Sequence, residues 1–299
     1  MKTLIRQILP LSLKRSLRYQ TLKQHFERNQ PLSERDKKII EYFEEREVKN
    51  AILLAGFKKS GNTWTKFVIF NYFNILLNNA DETLTYKQLD AIQCHVLNGE
   101  AIPEFSDGFP VFYDTYEPYQ EIWNYFNKVI LIYRNPLDTL ISLYYFLRRR
   151  KEPFMGYPEA ERKKLCDIDY FVLYELEWWI LYYQISIRRH DVLLCYENMR
   201  ADPYAEFRKL FNGLFDEVDG EVLKKSIAMS SFENIKTMGR EKNQMHGMGN
   251  AQNFVGEFTR SGTSGQYRSE LKKETVEQAK KTLHKSGINL AFHWAEEMQ

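Results

Sequence analysis

The segment from Ala51 to Phe67, AILLAGFKKSGNTWTKF, holds the residues best suited to chemistry. Gly56 and Gly61 have the G-x-x-x-x-G spacing of a nucleotide-triphosphate phosphate loop, and Thr63 stands where such a loop keeps its hydroxyl. The lysine, however, has moved. Position 62 is Asn62, and Lys58 and Lys59 come before the second glycine. A strand ending at Phe57, a glycine turn and a helix opening near Thr63 make an anion cradle. In it the N–H groups of Ser60, Gly61, Asn62 and Thr63 and the helix dipole act together. Ser60 and Thr63 add hydroxyl donors, and Lys59 adds a charge within reach of a bridging oxygen.

A loop that hydrolyses ATP places its lysine on the β- and γ-phosphates and its hydroxyl on magnesium. That chemistry needs a second, metal-holding motif. The strand ends YRNP and CYEN supply no clear aspartate, and Glu197 is the nearest candidate. A cradle for fewer phosphate charges, with no obligatory metal, fits the residues better.

Two other stretches suit an anion. In YRNPLDTLISLYYF, Arg134 ends a strand just before the Asn135–Pro136 turn, and Ser142 follows two helical turns later; both can hydrogen-bond one phosphate. In FTRSGTSGQYRSEL, Arg260, Gly262, Gly265 and Arg268 make a basic, glycine-bearing loop that lets the backbone approach an anion. Taken singly, Arg134 would more often be a structural ion pair and the loop an ordinary surface segment.

These residues need a scaffold. Apolar, strand-like runs cover Ala51–Phe57, Phe109–Tyr116, Lys128–Arg134 and Asp191–Glu197. Helix-length segments fall between and after them, at 62–78, 137–149, 170–189 and 203–215. The alternation predicts an α/β fold: a central parallel sheet covered by helices on both faces, in three layers. Ligands in such folds bind at the carboxyl ends of the strands, where Phe57, Tyr116, Arg134 and Glu197 lie.

The whole chain sets bounds. Its 299 residues are 43% apolar and 15% aromatic, which is enough to build a core and excludes a disordered chain. A formal charge of +2 gives no sign of a general nucleic-acid binder. Cys94, Cys166 and Cys195 are scattered and odd in number, so no disulfide framework or zinc spacing is visible and a reducing, cytoplasmic setting fits. The first thirty residues carry seven Lys/Arg against one acid. Their apolar run is too short and too broken to span a membrane. Two readings stay open for it: a basic helix packed on the domain, or contact with an anionic membrane surface. The organisation expected is a basic, helical extension over 1–45 and a single domain over 46–299.

The motifs together resemble one family. KKSGNTW is similar to the 5′-phosphosulfate loop of the cytosolic-type sulfotransferases, PKSGTTW or PKSGNTW. YRNPLDTLISLYYF resembles their 3′-phosphate motif, RNPKDVxVSxYxF, and RSGTSGQYR their R-K-G-x-x-G-x-W-K loop. EWW (177–179), CYENM (195–199) and SSFENIK (230–236) fall in the same order as the family's EWW, FYEDM and TSFxxMK. The matches run from about Lys49 to Arg268, most of the chain.

The resemblance implies a P-loop-like sulfotransferase fold. It also implies a donor, 3′-phosphoadenosine 5′-phosphosulfate (PAPS), with 3′-phosphoadenosine 5′-phosphate (PAP) as product and no metal. The sulfuryl group would pass to a hydroxyl or amine of a small molecule or glycan. On this resemblance Lys59 is the catalytic lysine. Ser60, Gly61, Asn62 and Thr63 hold the 5′-phosphate, and Arg134, Ser142, Arg260 and Gly262 hold the 3′-phosphate. Ser261 stands where many members have lysine. Trp64 and Phe232 sandwich the adenine, with Tyr196 and Ser231 at its edge.

The chain departs from the family pattern at the general base. The family's K-T-H-x-P is DTYEP here, so Tyr116 occupies the histidine position and Asp114 the lysine position. A neutral tyrosine, with an ordinary pKa of about 10, is a poor base near pH 7. Asp114 is the favoured base; Glu117, His95, or an acceptor that needs little help remain alternatives. The family's dimer motif, K-x-x-x-T-V-x-x-x-E, is not met, since Leu271 and Lys280 flank Thr275 and Val276, and the oligomeric state stays open. The glycine-bearing segment 239–254 is a candidate lid. Two other functions stay open: an ATP/Mg-dependent kinase, and a nucleotide-binding homologue without catalysis.

Overall fold

The computed structural model describes residues 20, 23–24, 32–45, 47–86, 88–89, 94–95, 110–240, 262–288 and 290. The strands are β1 (Ala51–Gly56), β2 (Cys94–His95), β3 (Val111–Thr115), β4 (Lys128–Tyr133) and β5 (Val192–Cys195). The helices are α1 (Glu34–Glu45), α2 (Asn62–Asn78), α3 (Pro136–Arg148), α4 (Glu159–Arg162), α5 (Ile168–Ser186), α6 (Tyr196–Ala201), α7 (Pro203–Leu214), α8 (Gly220–Met229), α9 (Phe232–Arg240), α10 (Tyr267–Glu270) and α11 (Lys273–Ser286).

All strand pairs are parallel, in the order β2-β3-β1-β4-β5. Every residue of β1 is buried, as expected of a central strand with both faces covered. Leu53, Ala55, Tyr113, Val129 and Leu131 face a core completed by α3 and α5. Ile52, Leu54, Phe112, Ile130, Ile132 and Leu194 face a second core completed by α2, α7 and α8. Three layers result, as the sequence predicts. The expected strands match β1, β3, β4 and β5 with their ends trimmed. The two-residue β2 has no periodicity to reveal it and is defined by pairing with Tyr113 and Asp114.

Local chemistry sets the helix starts. Asn135 caps α3 by accepting from the N–H groups of Leu137 and Asp138, and Pro136 occupies the first turn, where its missing N–H costs nothing. Asp167 and Asp202 cap α5 and α7 in the same way. α1 buries Ile39 and Phe43, and the Phe43 ring meets Tyr113 and Phe126 edge-on at 5.7 and 5.4 Å. The end of the expected N-terminal extension thus packs on the sheet, whereas the basic run before it lies almost wholly outside the described residues. Among the described residues no helix is long and apolar enough to cross a membrane.

Candidate active site

The loop from Phe57 to Asn62 turns tightly between β1 and α2. Lys59 has φ +73° and Gly61 has φ +120°. The lysine is held in a left-handed conformation that non-glycine residues rarely adopt, a strain often met at functional sites. At Gly61 a Cβ would lie 2.9 Å from the Tyr196 ring, so only glycine fits. Tyr183 of α5 props the loop from beneath. Its hydroxyl donates to the Ile132 carbonyl (2.7 Å) and accepts from the Phe57 N–H (3.3 Å). With that proton committed, the Ser60 hydroxyl donates to Tyr183 (3.1 Å), and the Ser60 N–H donates to the Phe57 carbonyl. Both Ser60 donors therefore hold the loop's shape in this arrangement. Asn62 opens α2, buried over Gly56, where an added Cβ would lie 2.8 Å from its Oδ1.

Lys59 is half-buried, with Nζ 4.7 Å from the centre of the Phe146 ring. Burial, and then the charges of Arg134 and Arg149, push its ammonium down to about 8. An anion placed among these three cations would reverse that shift.

Arg134, buried at the end of β4, is the hinge of the site. It donates to the Lys59 carbonyl (3.4 Å) and the Thr263 carbonyl (2.9 Å), and its guanidinium lies 4.3 Å from the Tyr196 ring centre. Tyr196 in turn donates to the Gly262 carbonyl. Asp138, one turn into α3, accepts from the N–H groups of Gly265 (2.6 Å) and Tyr267 (3.3 Å). Three side chains from three elements thus fasten the 262–267 loop beside the cradle. Burial pushes the carboxyls of Asp138 and Glu197 up, while the Arg134 charge and backbone N–H donors pull against it. Glu197 accepts from the Asn135 N–H at 3.0 Å, so it steadies the turn after Arg134.

Aromatic rings border the other side. Trp64 meets Tyr196 and Phe207 edge-on, at 6.3 and 5.5 Å. Phe232 opens α9 close against Gly262, where an added Cβ would lie 2.6 Å from the ring. Ser231 caps the same helix through the Asn234 N–H. Thr63 is half-buried in the first turn of α2, and Ser142 is half-buried in α3. Arg260, Ser261 and most of the candidate lid lie outside the described residues.

A test of fit for an oxyanionic ligand is the presence of buried donors without a partner, which besides Thr65 Oγ1 and the Tyr182 hydroxyl include four near the loop: Asn62 Nδ2, Trp64 Nε1, Arg134 Nε and Ser264 Oγ. Such groups are rare in folded proteins and call for a ligand or water. Here all four belong to the cradle, its aromatic wall, the β4 end and the 262–267 loop. Among the described residues no group of three or more His, Cys, Asp and Glu could hold a metal ion.

The end of β3 differs from the expectation for a free base. Asp114 is 1% exposed and its Oδ2 lies 2.9 Å from Nζ of Lys66, itself 4% exposed. Tyr116 and Glu117 follow, both half-buried. Both stand near Tyr182, whose hydroxyl is raised well above its ordinary value first by burial, then by Tyr183 and Glu117, with a smaller contribution from Tyr116. β2 pairs His95 with Asp114 through the backbone.

Sequence reading missed Lys66, Asp138 and Tyr183. Lys66 and Asp138 carried a signal, each being a charged residue inside an otherwise apolar helix stretch. Tyr183 sits among apolar neighbours and carried none.

A glycine turn, a buried arginine and aromatic rings thus meet at the carboxyl ends of the strands of a three-layer parallel sheet, where such folds bind ligands. A family model described as the sulfotransferase domain matches residues 49–287, and the chain belongs to that family of sulfuryl-transferring enzymes. It is 27% identical to mouse Sulfotransferase 1 family member D1, over 81% of this chain and 83% of the relative. Its fold is that of retinol dehydratase in a complex with retinol and PAP (TM-score 0.61, 17% identity, 81% of this chain and 83% of that one). It is also that of the mouse sulfotransferase SULT7A1 complexed with PAP (TM-score 0.53, 18% identity, 80% and 84%).

Proposed function

We propose that the protein transfers a sulfuryl group from PAPS to a hydroxyl or amine of a small molecule, without a metal. The observation that carries the reading is the convergence of Lys59, Arg134 and the 262–267 loop on the cradle, with buried donors of Asn62, Arg134 and Ser264 left for a ligand. The donor supplies the activated sulfur–oxygen bond. The chain's residues bind it, orient it and receive charge.

In this reading the N–H groups of Gly61, Asn62 and Thr63 hold the 5′-phosphate, with Ser60 keeping the loop in shape. Arg134, Ser142, Gly262 and, by resemblance, Arg260 and Ser261 hold the 3′-phosphate. Trp64 and Phe232 take the adenine faces, and Tyr196 and Ser231 its edge. Lys59 stabilises the negative charge that builds on the bridging oxygen as the sulfur–oxygen bond to phosphate breaks and the bond to the acceptor forms. The acceptor's proton leaves towards the β3 end. A carboxylate already facing an ammonium gains less by taking a proton, so the Lys66 contact weighs against Asp114 as the base. We assign that role to Glu117 and give Asp114 and Tyr116 the task of shaping the acceptor side. A cytoplasmic setting accords with this reading.

Transfer of labelled sulfate from PAPS to a panel of phenols, alcohols and amines, in excess chelator, tests it. Labelled product that vanishes in Lys59→Ala is expected. Transfer that requires added magnesium and ATP, or no transfer by a protein that binds PAP, would contradict it.

A further inference from the structure

Two buried tyrosines stand side by side on α5, and only one of them is satisfied. Tyr183 commits its hydroxyl to Ile132, Phe57 and Ser60. Tyr182 is fully buried, and no described group bonds its hydroxyl. Its ring is fixed edge-on, with centres 5.6 Å from Phe57 and 5.0 Å from Tyr183. A phenylalanine would fill the same space without the cost of a buried, unsatisfied hydroxyl.

The packing shows what the hydroxyl faces. Ser186 lies one helical turn beyond Tyr182 on the same face of α5, and its Oγ accepts from the Tyr119 N–H at 3.1 Å. The chain leaving β3 thus runs along this face, with the residues before Tyr119 set towards Tyr182. Phe57, just after β1, closes the other side. The titratable groups around the hydroxyl are Tyr183 on its own helix and Glu117 and Tyr116 from the turn after β3, with the Gly56 N–H near it from β1. An N–H only donates, so Gly56 leaves the phenol proton uncommitted, and Glu117 is the one carboxylate of the set. Asp114 of β3, three residues earlier, has Lys66 of α2 at 2.9 Å. Among the described residues the Glu117 side chain makes no hydrogen bond or ion pair; its N–H alone is engaged, on Thr115 Oγ1 at 3.1 Å.

We propose that Tyr182 is a positioning residue for the transfer, its hydroxyl donating to the Glu117 carboxylate and holding it towards the acceptor. The proposal rests on the assignment of Glu117 as the base. As the sulfuryl group bonds to the acceptor oxygen, the acceptor's proton passes to one oxygen of Glu117. The other oxygen keeps the Tyr182 hydrogen bond, and the phenol proton stays where it is. A hydrogen bond to the carboxylate favours its charged form, so removing the hydroxyl makes Glu117 protonate at higher pH.

The test is carbon-13 NMR titration of the Glu117 carboxyl in glutamate-labelled protein with PAP and 2-naphthol present, its signal identified by loss in Glu117→Gln. Tyr182→Phe keeps the ring and removes only the hydroxyl. In it the Glu117 titration should move up by roughly one to two pH units. Turnover of 2-naphthol should fall roughly 10- to 100-fold, and the acid limb of its rate profile should move the same way. PAP affinity should stay within about threefold of wild type, and the unliganded variant should melt no lower than wild type, since the lost hydroxyl had no partner. A merely structural role would not move the Glu117 titration. An unchanged titration, unchanged turnover, or a loss of PAP affinity as large as the loss of turnover would overturn the proposal. Glu117→Gln with wild-type turnover would overturn the base assignment beneath it, and failure of the wild type to bind PAP would overturn the sulfuryl-transfer reading. Both results are separate from the effect of Tyr182→Phe on the Glu117 signal.

Discussion

Lys66 Nζ lies 2.9 Å from Asp114 Oδ2, and the two side chains are only 4% and 1% exposed. The contact ties α2, whose first turn adjoins the glycine turn, to the end of β3, towards which we propose the acceptor's proton leaves. Breaking a buried pair on one side leaves the other charge stranded. Lys66→Met should therefore cost about 3 to 5 kcal/mol in denaturant-unfolding experiments, and Lys66→Met with Asp114→Leu should recover most of it. Simple addition of the two losses would show that the charges do not act as a pair.

Lys59 should couple binding to pH. Its folded-state ammonium titrates near 8, below the ordinary lysine value, so the unfolded chain holds this proton more tightly. Stability then rises as pH climbs from about 8 towards 10.5, and the full cost of the charge is present below 8. Lys59→Met should consequently stabilise the unliganded protein at pH 7, by about 1 to 2 kcal/mol after allowance for solvent screening, while removing transfer. In the wild type, affinity for PAP should fall as pH passes upward through 8, with proton uptake on binding measured by calorimetry in two buffers. Binding that is flat across that range would separate Lys59 from the nucleotide.

Asp138 is a positioning residue. Its carboxylate accepts from the Gly265 and Tyr267 N–H groups and so sets where the 262–267 loop sits relative to Arg134. Asp138→Asn leaves one oxygen and turns an amide donor on those N–H groups. Affinity for PAP should drop by about 10- to 100-fold. Affinity for adenosine 5′-phosphosulfate, which lacks the 3′-phosphate, should change little. Equal losses for both nucleotides would mean general disruption of the fold.

Gly262 permits a close approach. With φ +63° and a would-be Cβ 2.6 Å from the Phe232 ring, Gly262→Ala must shift the loop or the ring. The expected result is weaker PAP binding with a melting temperature lowered by a few degrees at most, since the strain falls on a surface loop. Unchanged PAP affinity would place Phe232 outside the nucleotide site.

The cradle was legible because its parts are contiguous: a buried strand, KKSG and a helix start all fall within a dozen residues. Arg134 was legible for the same reason, standing between a strand and an Asn–Pro turn. The buried contact of Asp114 was not legible, because its partner Lys66 lies 48 positions away and only the packing of α2 on the sheet brings them together. The short β2 left no signal, being defined by its neighbour's backbone rather than by its own pattern.

We propose that a 3′-phosphorylated donor nucleotide is bound without metal between Arg134 at one end and the Lys59 loop at the other. Calorimetric titration with PAP in excess chelator, on the wild type and on Arg134→Ala, tests it most directly. One site of micromolar or tighter affinity is expected, weakened by roughly 100-fold or more in Arg134→Ala, where the 3′-phosphate loses its buried cation. Binding of ATP only with magnesium, or PAP affinity indifferent to Arg134, would contradict it.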